Sequence, residues 1–328
     1  MTHQSSSRPR RKGRRRVVTT AAAVIAVVVI AAGIVLFNRS AHHDPGKPLP
    51  VDLPTTPNSY VGVFLKGVPA SYSAVTSFTS ATGARPDVVM YYSGWYVPFP
   101  AKFAATAANA GTVPLVQMDP DGVDIRQIAT GRYDGYLSSY AEAVRAYRHP
   151  VVLSFGHEMN GDWYSWGYKN TPPAVFVAAW RHIVTLFRAL GAHNVTWLWT
   201  VNIINDTQHG TIPRPNQWWP GSAYVNWVGI DGYYLKSSWK FAPLFGPTIA
   251  AVRTFTGAPI LIAETGAVPT AGQPAKIADL FAGIRAYGLL GFVWFDTTNS
   301  SGEQFSLNSP AAIAAFRKGA SSYHLPAS

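Results

Sequence analysis

The sequence predicts an α/β protein built as a (β/α)8 TIM barrel, and three observations carry that expectation. Eight short β-rich runs follow one another at residues 60–64, 88–92, 113–118, 151–155, 195–200, 227–231, 260–263 and 292–295. Most are apolar throughout instead of alternating, as strands buried on both faces read. Helix-compatible segments separate most of them, which gives eight alternations in about 265 residues, the size of one barrel. A doubly wound open sheet is the alternative. No Gly-rich phosphate loop follows the first run, so its dinucleotide-binding form is not expected.

The chain begins with a basic tail. Residues 1–16 hold seven Lys and Arg and no acid, and residues 17–37 hold no charge and are rich in Val, Ile and Ala. At about 1.5 Å per residue, such a helix matches a hydrocarbon core of about 30 Å. The segment reads as a transmembrane anchor with the tail cytoplasmic and the remainder outside. A cleaved signal sequence is the competing reading, in which the protein is secreted. Residues 38–58 carry Pro45, Pro48, Pro50, Pro54 and Pro57 and read as an extended spacer. Residues 59–328 read as the (β/α)8 domain.

Within that domain the clearest helices are residues 101–110, 133–147, 173–190, 242–255, 274–287 and 310–318. Pro173, Pro274 and Pro310 stand at helix starts, where a missing N–H costs nothing. Gly191, Gly288 and Gly319 stand at helix ends as stops.

Composition narrows the function classes. The net charge of +11 includes the seven basic tail residues; the rest of the chain has 20 basic and 16 acidic residues. A nucleic-acid partner is therefore not expected of the domain. With no cysteine, disulfides contribute nothing in any compartment. The 11 Trp and 13% aromatic content suit a carbohydrate cleft. Oligomeric state is left open by the sequence.

The fourth β-rich run delivers His157-Glu158 to a loop containing Asn160, Gly161, Trp163 and Trp166. The seventh ends at Glu264. Strands four and seven lie across the barrel axis, and their C-terminal ends meet at the face where barrel active sites are built. Two carboxyl groups facing each other there are what acid-assisted glycoside cleavage requires. A zinc reading fails because a His-Glu-x-x-His motif needs histidine where Gly161 stands. No metal or cofactor is expected.

Four segments resemble glycoside hydrolase family 26, best known for endo-β-1,4-mannanases. They are His157-Glu158-Met159-Asn160-Gly161 with Trp163 and Trp166, residues 224–233 ending in Asp231-Gly232-Tyr233, residues 262–266 around Glu264, and residues 291–296 around Trp294. The resemblance covers roughly residues 60–318. It implies Glu158 as general acid/base and Glu264 as nucleophile of a retaining endo-β-glycanase acting on β-1,4-mannan-type polysaccharide. His157 and Tyr233 are then expected around the nucleophile, Trp294 as the platform under the sugar being cleaved, and Trp163 and Trp166 beside neighbouring sugars. Asn160, Asn202, Asp119 and Asp231 are expected as hydroxyl partners. Ser222 and Asn226 depart from the family's frequent acids at positions that read as loop or cap.

Other readings stay open. A β-1,3/1,4-glucanase or a β-1,3-xylanase of the same family, a non-hydrolytic barrel that binds envelope glycan, and a transglycosylase all fit these residues. Glu158 alone also reads as a helix-capping carboxylate, and His157 alone as a hydrogen-bonded core histidine. Trp197, Trp199, Trp227 and Trp239 read as core or rim residues.

Overall fold

The computed structural model describes residues 53–205, 212–236 and 238–323. The basic tail, the uncharged 17–37 segment and the spacer up to residue 52 lie outside the described residues. Among the described residues no helix is long and apolar enough to cross a membrane.

Eight parallel strands close into a barrel in sequence order: β1 (Tyr60–Phe64), β2 (Val88–Gly94), β3 (Val113–Asp119), β4 (Val151–Phe155), β5 (Val195–Asn202), β6 (Trp227–Asp231), β7 (Ile260–Thr265) and β8 (Gly291–Phe295). β8 closes on β1 from the Tyr60–Gly291 pair to the Phe64–Phe295 pair. Outside the strands lie α1 (Ser73–Thr82), α2 (Ala101–Asn109), α3 (Ile125–Ile128), α4 (Asp134–Tyr147), α5 (Pro173–Ala189), α6 (Phe241–Arg253), α7 (Gln273–Ala286) and α8 (Pro310–Ala320). After β5 the described chain forms two short 3₁₀ turns, Pro215–Trp218 and Ser222–Tyr224.

The six helices expected from sequence recur within two residues at each end. The four-residue α3 and the Ser/Thr-rich α1 lie outside those six. In α1, Thr79 and Thr82 donate to the carbonyls four residues back, at 2.9 and 2.7 Å, and Val75 and Phe78 are buried. The hydroxyls that compete with a helix are thus spent inside it. Gly319 is not a stop. It lies within α8, where a Cβ would meet the Phe281 ring at 2.1 Å, so it permits α7 and α8 to pack closely.

The strands alternate between two apolar layers. Tyr60, Val88, Met90, Leu115, Val152, Leu198, Trp227, Leu261 and Val293 form one cluster inside the barrel. Val61, Val89, Val116, Leu153, Trp197, Trp199, Ile230, Ile262 and Trp294 belong to the second, between strands and helices. Leu53 is buried in the inner cluster, and Tyr60 donates through its hydroxyl to the Pro54 carbonyl at 2.7 Å. The last residues of the Pro-rich stretch are therefore docked on the domain. Asn226 is a structural cap, since its Oδ1 accepts the Trp197 N–H at 2.8 Å.

Gly291 opens β8 with φ 151°, and a Cβ there would lie 1.8 Å from the Tyr60 carbonyl oxygen. The obstacle is backbone of the closing strand pair and has no room to yield. Gly291→Ala is expected to destabilise the domain by about 3 kcal/mol or more, read as a lower midpoint in urea denaturation.

Candidate active site

Two local backbone features place the carboxylates. After β4, Gly156 and Glu158 both take left-handed φ, 54° and 53°. For Glu158 this conformation costs on the order of 1 kcal/mol and needs support from its surroundings. Its N–H donates to the Thr200 carbonyl at 3.0 Å, and its carbonyl accepts from Gly161 at 2.8 Å. In β7 the register shifts against both neighbours, from Ile230–Ile262 to Asp231–Glu264 on one side and from Ile262–Phe292 to Thr265–Trp294 on the other. Strict alternation from the inward Leu261 and Ala263 would send Glu264 outward. One extra residue in β7 turns it into the barrel mouth.

Both glutamates line one cleft of about 720 Å³, together with Tyr92, Asp119, Trp163, Tyr164, Asn202, Tyr233, Leu235, Phe295, Asn299, Ser300, Ser301 and Glu303. Each has its own donors. Asn202 Nδ2 donates to Glu158 Oε1 at 2.6 Å, and Trp163 Nε1 donates to Oε2 at 2.8 Å. Tyr92 donates to Glu264 Oε1 at 2.5 Å, and Tyr233 donates to Oε2 at 2.7 Å. Burial holds both phenols well above the ordinary tyrosine pKa, with the Glu264 charge adding to it, so they stay protonated as donors.

Burial pushes the Glu264 carboxyl up to about 7. The charge on His157 and the two phenol hydrogen bonds pull against burial, while Glu158 pushes with it. His157 is buried between Asp119 and Tyr164. Its Nδ1–H donates to Asp119 Oδ1 at 2.9 Å, and Nε2 lies 3.0 Å from the Tyr164 hydroxyl. Burial disfavours its charge, but Asp119, Glu264 and Glu158 outweigh that and raise the ring to about 9. A cationic His157 therefore sits beside the carboxylates near neutral pH.

The structure brings together Glu158, Glu264, Trp163, Asn202, Asp119 and Tyr233 on the cleft wall. Asn202 holds Glu158, and His157 bonds Asp119 and Tyr164 rather than Glu264. Four expectations are corrected. Trp294 is 0% exposed, because it occupies the outward position of β8 and packs edge-on against Phe316 of α8. The aromatic that β8 presents to the cleft is its neighbour Phe295. Trp166 is also 0% exposed; it stacks on Tyr164 at 4.3 Å and donates to the His157 carbonyl, so it backs the site instead of facing sugar. Asn160 is buried and exchanges two hydrogen bonds with the Asn202 backbone, at 2.8 and 2.9 Å. Asp231 is 0% exposed and stands opposite Glu264 in the β6–β7 pairing, beneath the cleft rather than on its wall. Burial, then the charges of Glu264 and Glu158, push its carboxyl well above the usual range.

Sequence reasoning missed Tyr92, Tyr164, Phe295 and the 299–303 segment. Tyr92 carried a signal, since it continues the inward positions of Val88 and Met90. The segment after β8 carried none, being short and polar.

The acid limb of kcat/KM is expected near pH 7, where the carboxylate pair loses the first of its two protons and Glu264 ionises. Tyr92→Phe removes a donor that favours the ionised form, so the Glu264 pKa rises and the limb moves to higher pH. One hydrogen bond to a charged group corresponds to about one pH unit. An unmoved limb in a pH–rate profile would show that Tyr92 does not tune this carboxylate.

Comparison with known proteins agrees with this geometry. A family model described as Glycosyl hydrolase family 26 matches residues 102–307. Endoglucanase H of Acetivibrio thermocellus is 32% identical over 268 residues, covering 77% of this chain and 29% of that protein. Beta-1,3-xylanase TXYA of a Vibrio species is 25% identical over 180 residues, covering 51% of this chain and 37% of that protein. The chain thus spans well under half the length of these curated relatives. Among solved structures, Bacillus subtilis mannanase man26 superposes with a TM-score of 0.59 at 15% identity, covering 83% of this chain and 87% of that one. A Cellulomonas fimi endo-beta-1,4-mannanase double mutant gives a TM-score of 0.60 at 19% identity, covering 79% and 68%. At these identities the structural likeness is one of fold.

Proposed function

We propose that the chain, which belongs to glycosyl hydrolase family 26, is a glycoside hydrolase, a retaining endo-β-glycanase acting by double displacement. The observation that carries this reading is the pair Glu158 and Glu264, which share one cleft with separate donor sets. Glu264 has two phenols and the charge of His157 to favour its ionised form. It attacks the anomeric carbon while Glu158 gives its proton to the departing glycosidic oxygen. In the second step Glu158 takes a proton from water, whose oxygen displaces Glu264 from the sugar. Trp163 and Phe295 supply aromatic surface along the wall.

We propose β-1,4-mannan-type polysaccharide as substrate, on the likeness to the mannanases by fold. A β-glucan or a β-1,3-xylan is the second reading, favoured by the names of the relatives most similar in sequence. Reducing-sugar release from mannan, glucomannan, lichenan, mixed-linkage glucan and β-1,3-xylan tests both, with Glu264→Ala as control. Activity on one polymer that disappears in the variant identifies the substrate. Wild-type activity retained by the variant, or release from none of the polymers, would contradict the reading.

We also propose that residues 17–37 anchor the protein with its catalytic domain outside the cell. The support is their uncharged length and the basic tail before them. Protease accessibility of the domain on intact cells, together with membrane fractionation, tests this placement.

A further inference from the structure

One wall of the cleft is a hairpin that follows β8. Thr298 and Gln304 pair across it in an antiparallel bridge. Asn299 N–H donates to the Glu303 carbonyl at 2.9 Å, and Glu303 N–H donates to Asn299 Oδ1 at 2.8 Å. Phe305, which follows, is fully buried and stacks on Tyr233 with ring centroids 4.6 Å apart. The hairpin is thereby fixed against the ring whose hydroxyl holds Glu264. It presents Asn299, Ser300, Ser301 and Glu303 to the cleft.

The four acids lining the cleft differ in what they bond. Asp119 accepts from His157, and Glu158 and Glu264 each accept from two donors. Among the described residues the Glu303 carboxylate has no hydrogen-bond or ion-pair partner, and no Lys or Arg lines the cleft. Its backbone holds the hairpin; its side chain is left to act on whatever enters.

We propose that Glu303 is a specificity-determining residue. Its carboxylate accepts hydroxyl hydrogens from a neutral pyranose bound beside the scissile bond, and it repels glycan chains that carry carboxylates. Two carboxylate oxygens match two adjacent hydroxyls as acceptors, and such charge-assisted bonds are the strong ones. The same charge, added to that of Glu264 in a cleft that no Lys or Arg lines, makes entry of a uronate or carboxymethyl group costly. The substrate class is therefore a neutral β-glycan. This inference rests on the glycanase reading above.

Steady-state kinetics of wild type and Glu303→Gln test it, on the neutral glycan that the wild type hydrolyses and on the same polymer lightly carboxymethylated. In the variant, KM on the neutral glycan is expected to rise about fivefold or more with kcat within about twofold, the loss of one hydrogen bond. The wild-type preference for neutral over carboxymethylated polymer, as a ratio of kcat/KM, should fall by about as much at low salt. The thermal midpoint should stay unchanged. A Glu303→Gln variant with wild-type KM and wild-type preference overturns the assignment. Failure of the glycanase reading looks different: the wild type itself then shows no Glu264-dependent turnover on any neutral glycan. Retention in native gels containing the neutral or the carboxymethylated polymer still reads Glu303 in that case. Weaker retention of the variant by the neutral polymer supports the proposal, and equal retention of both proteins overturns it.

Discussion

Glu264→Ala is expected to lower kcat by on the order of 10⁴- to 10⁶-fold on every substrate, as loss of a nucleophile does when the rest of the machinery depends on it. The nearby Asp119 and Asp231 are not placed to substitute. Asp119 is engaged with His157, and Asp231 is buried beneath the site. The variant should bind glycan, because the donors and aromatic walls remain. The isosteric Glu264→Gln isolates the charge and has a second, independent consequence. The folded-state pKa of Glu264 is raised to about 7 from 4.5. For a raised group the stabilising contribution is fully present below pH 4.5 and is lost as pH rises through 7. That loss amounts to roughly 3 kcal/mol across the window. Glu264→Gln never acquires the charge, so it should be more stable than wild type at pH 8 and close to it at pH 4. Active-site groups that trade stability for chemistry give this pattern. A Glu264→Gln variant no more stable at pH 8 than at pH 4, relative to wild type, would show that burial does not strain this carboxylate.

Glu158→Ala should produce the other large effect, with a different signature. General acid catalysis is worth roughly 10²- to 10⁴-fold, and the loss should fall in that range on polysaccharide, whose leaving oxygen needs the proton. An aryl glycoside with a good leaving group needs no such help in the first step, so its bond cleavage should be largely retained. The second step still lacks its base, and an added small anion such as azide should restore turnover by attacking the glycosyl-enzyme directly. Equal losses on polysaccharide and activated glycoside would assign Glu158 a role other than proton transfer. Deleting the side chain also frees Asn202 Nδ2 and Trp163 Nε1. Comparing thermal midpoints therefore separates loss of structure from loss of chemistry.

The barrel was legible in the sequence because parallel strands covered on both faces read as apolar runs with helices between them. Both glutamates were legible because each stands at the end of such a run. What lay beyond reach was side-chain direction near strand ends. Trp294 reads as a sugar platform, yet alternation in β8 sends it toward α8 and turns Phe295 to the cleft. In β7 the same alternation would have turned Glu264 away, and only the register shift restores it. No composition or spacing announces an extra residue in a strand. Hydrogen-bond partners were equally hidden: Asn160 reads as a sugar ligand but positions Asn202, and the donor Tyr92 comes from a strand 172 residues away in the sequence from Glu264. The Glu303 hairpin is polar and short, and its relation to the cleft arises only when Phe305 docks on Tyr233.

The most direct test of the double-displacement account is the configuration of the first product. Proton NMR, recorded within seconds of mixing the protein with a β-linked oligosaccharide that it cleaves, resolves the two anomers before mutarotation blurs them. Attack by Glu264 followed by water must deliver the β-anomer first, with the α-anomer growing in slowly. If the α-anomer appears first, water attacks in a single inverting step and Glu264 is a base, not a nucleophile.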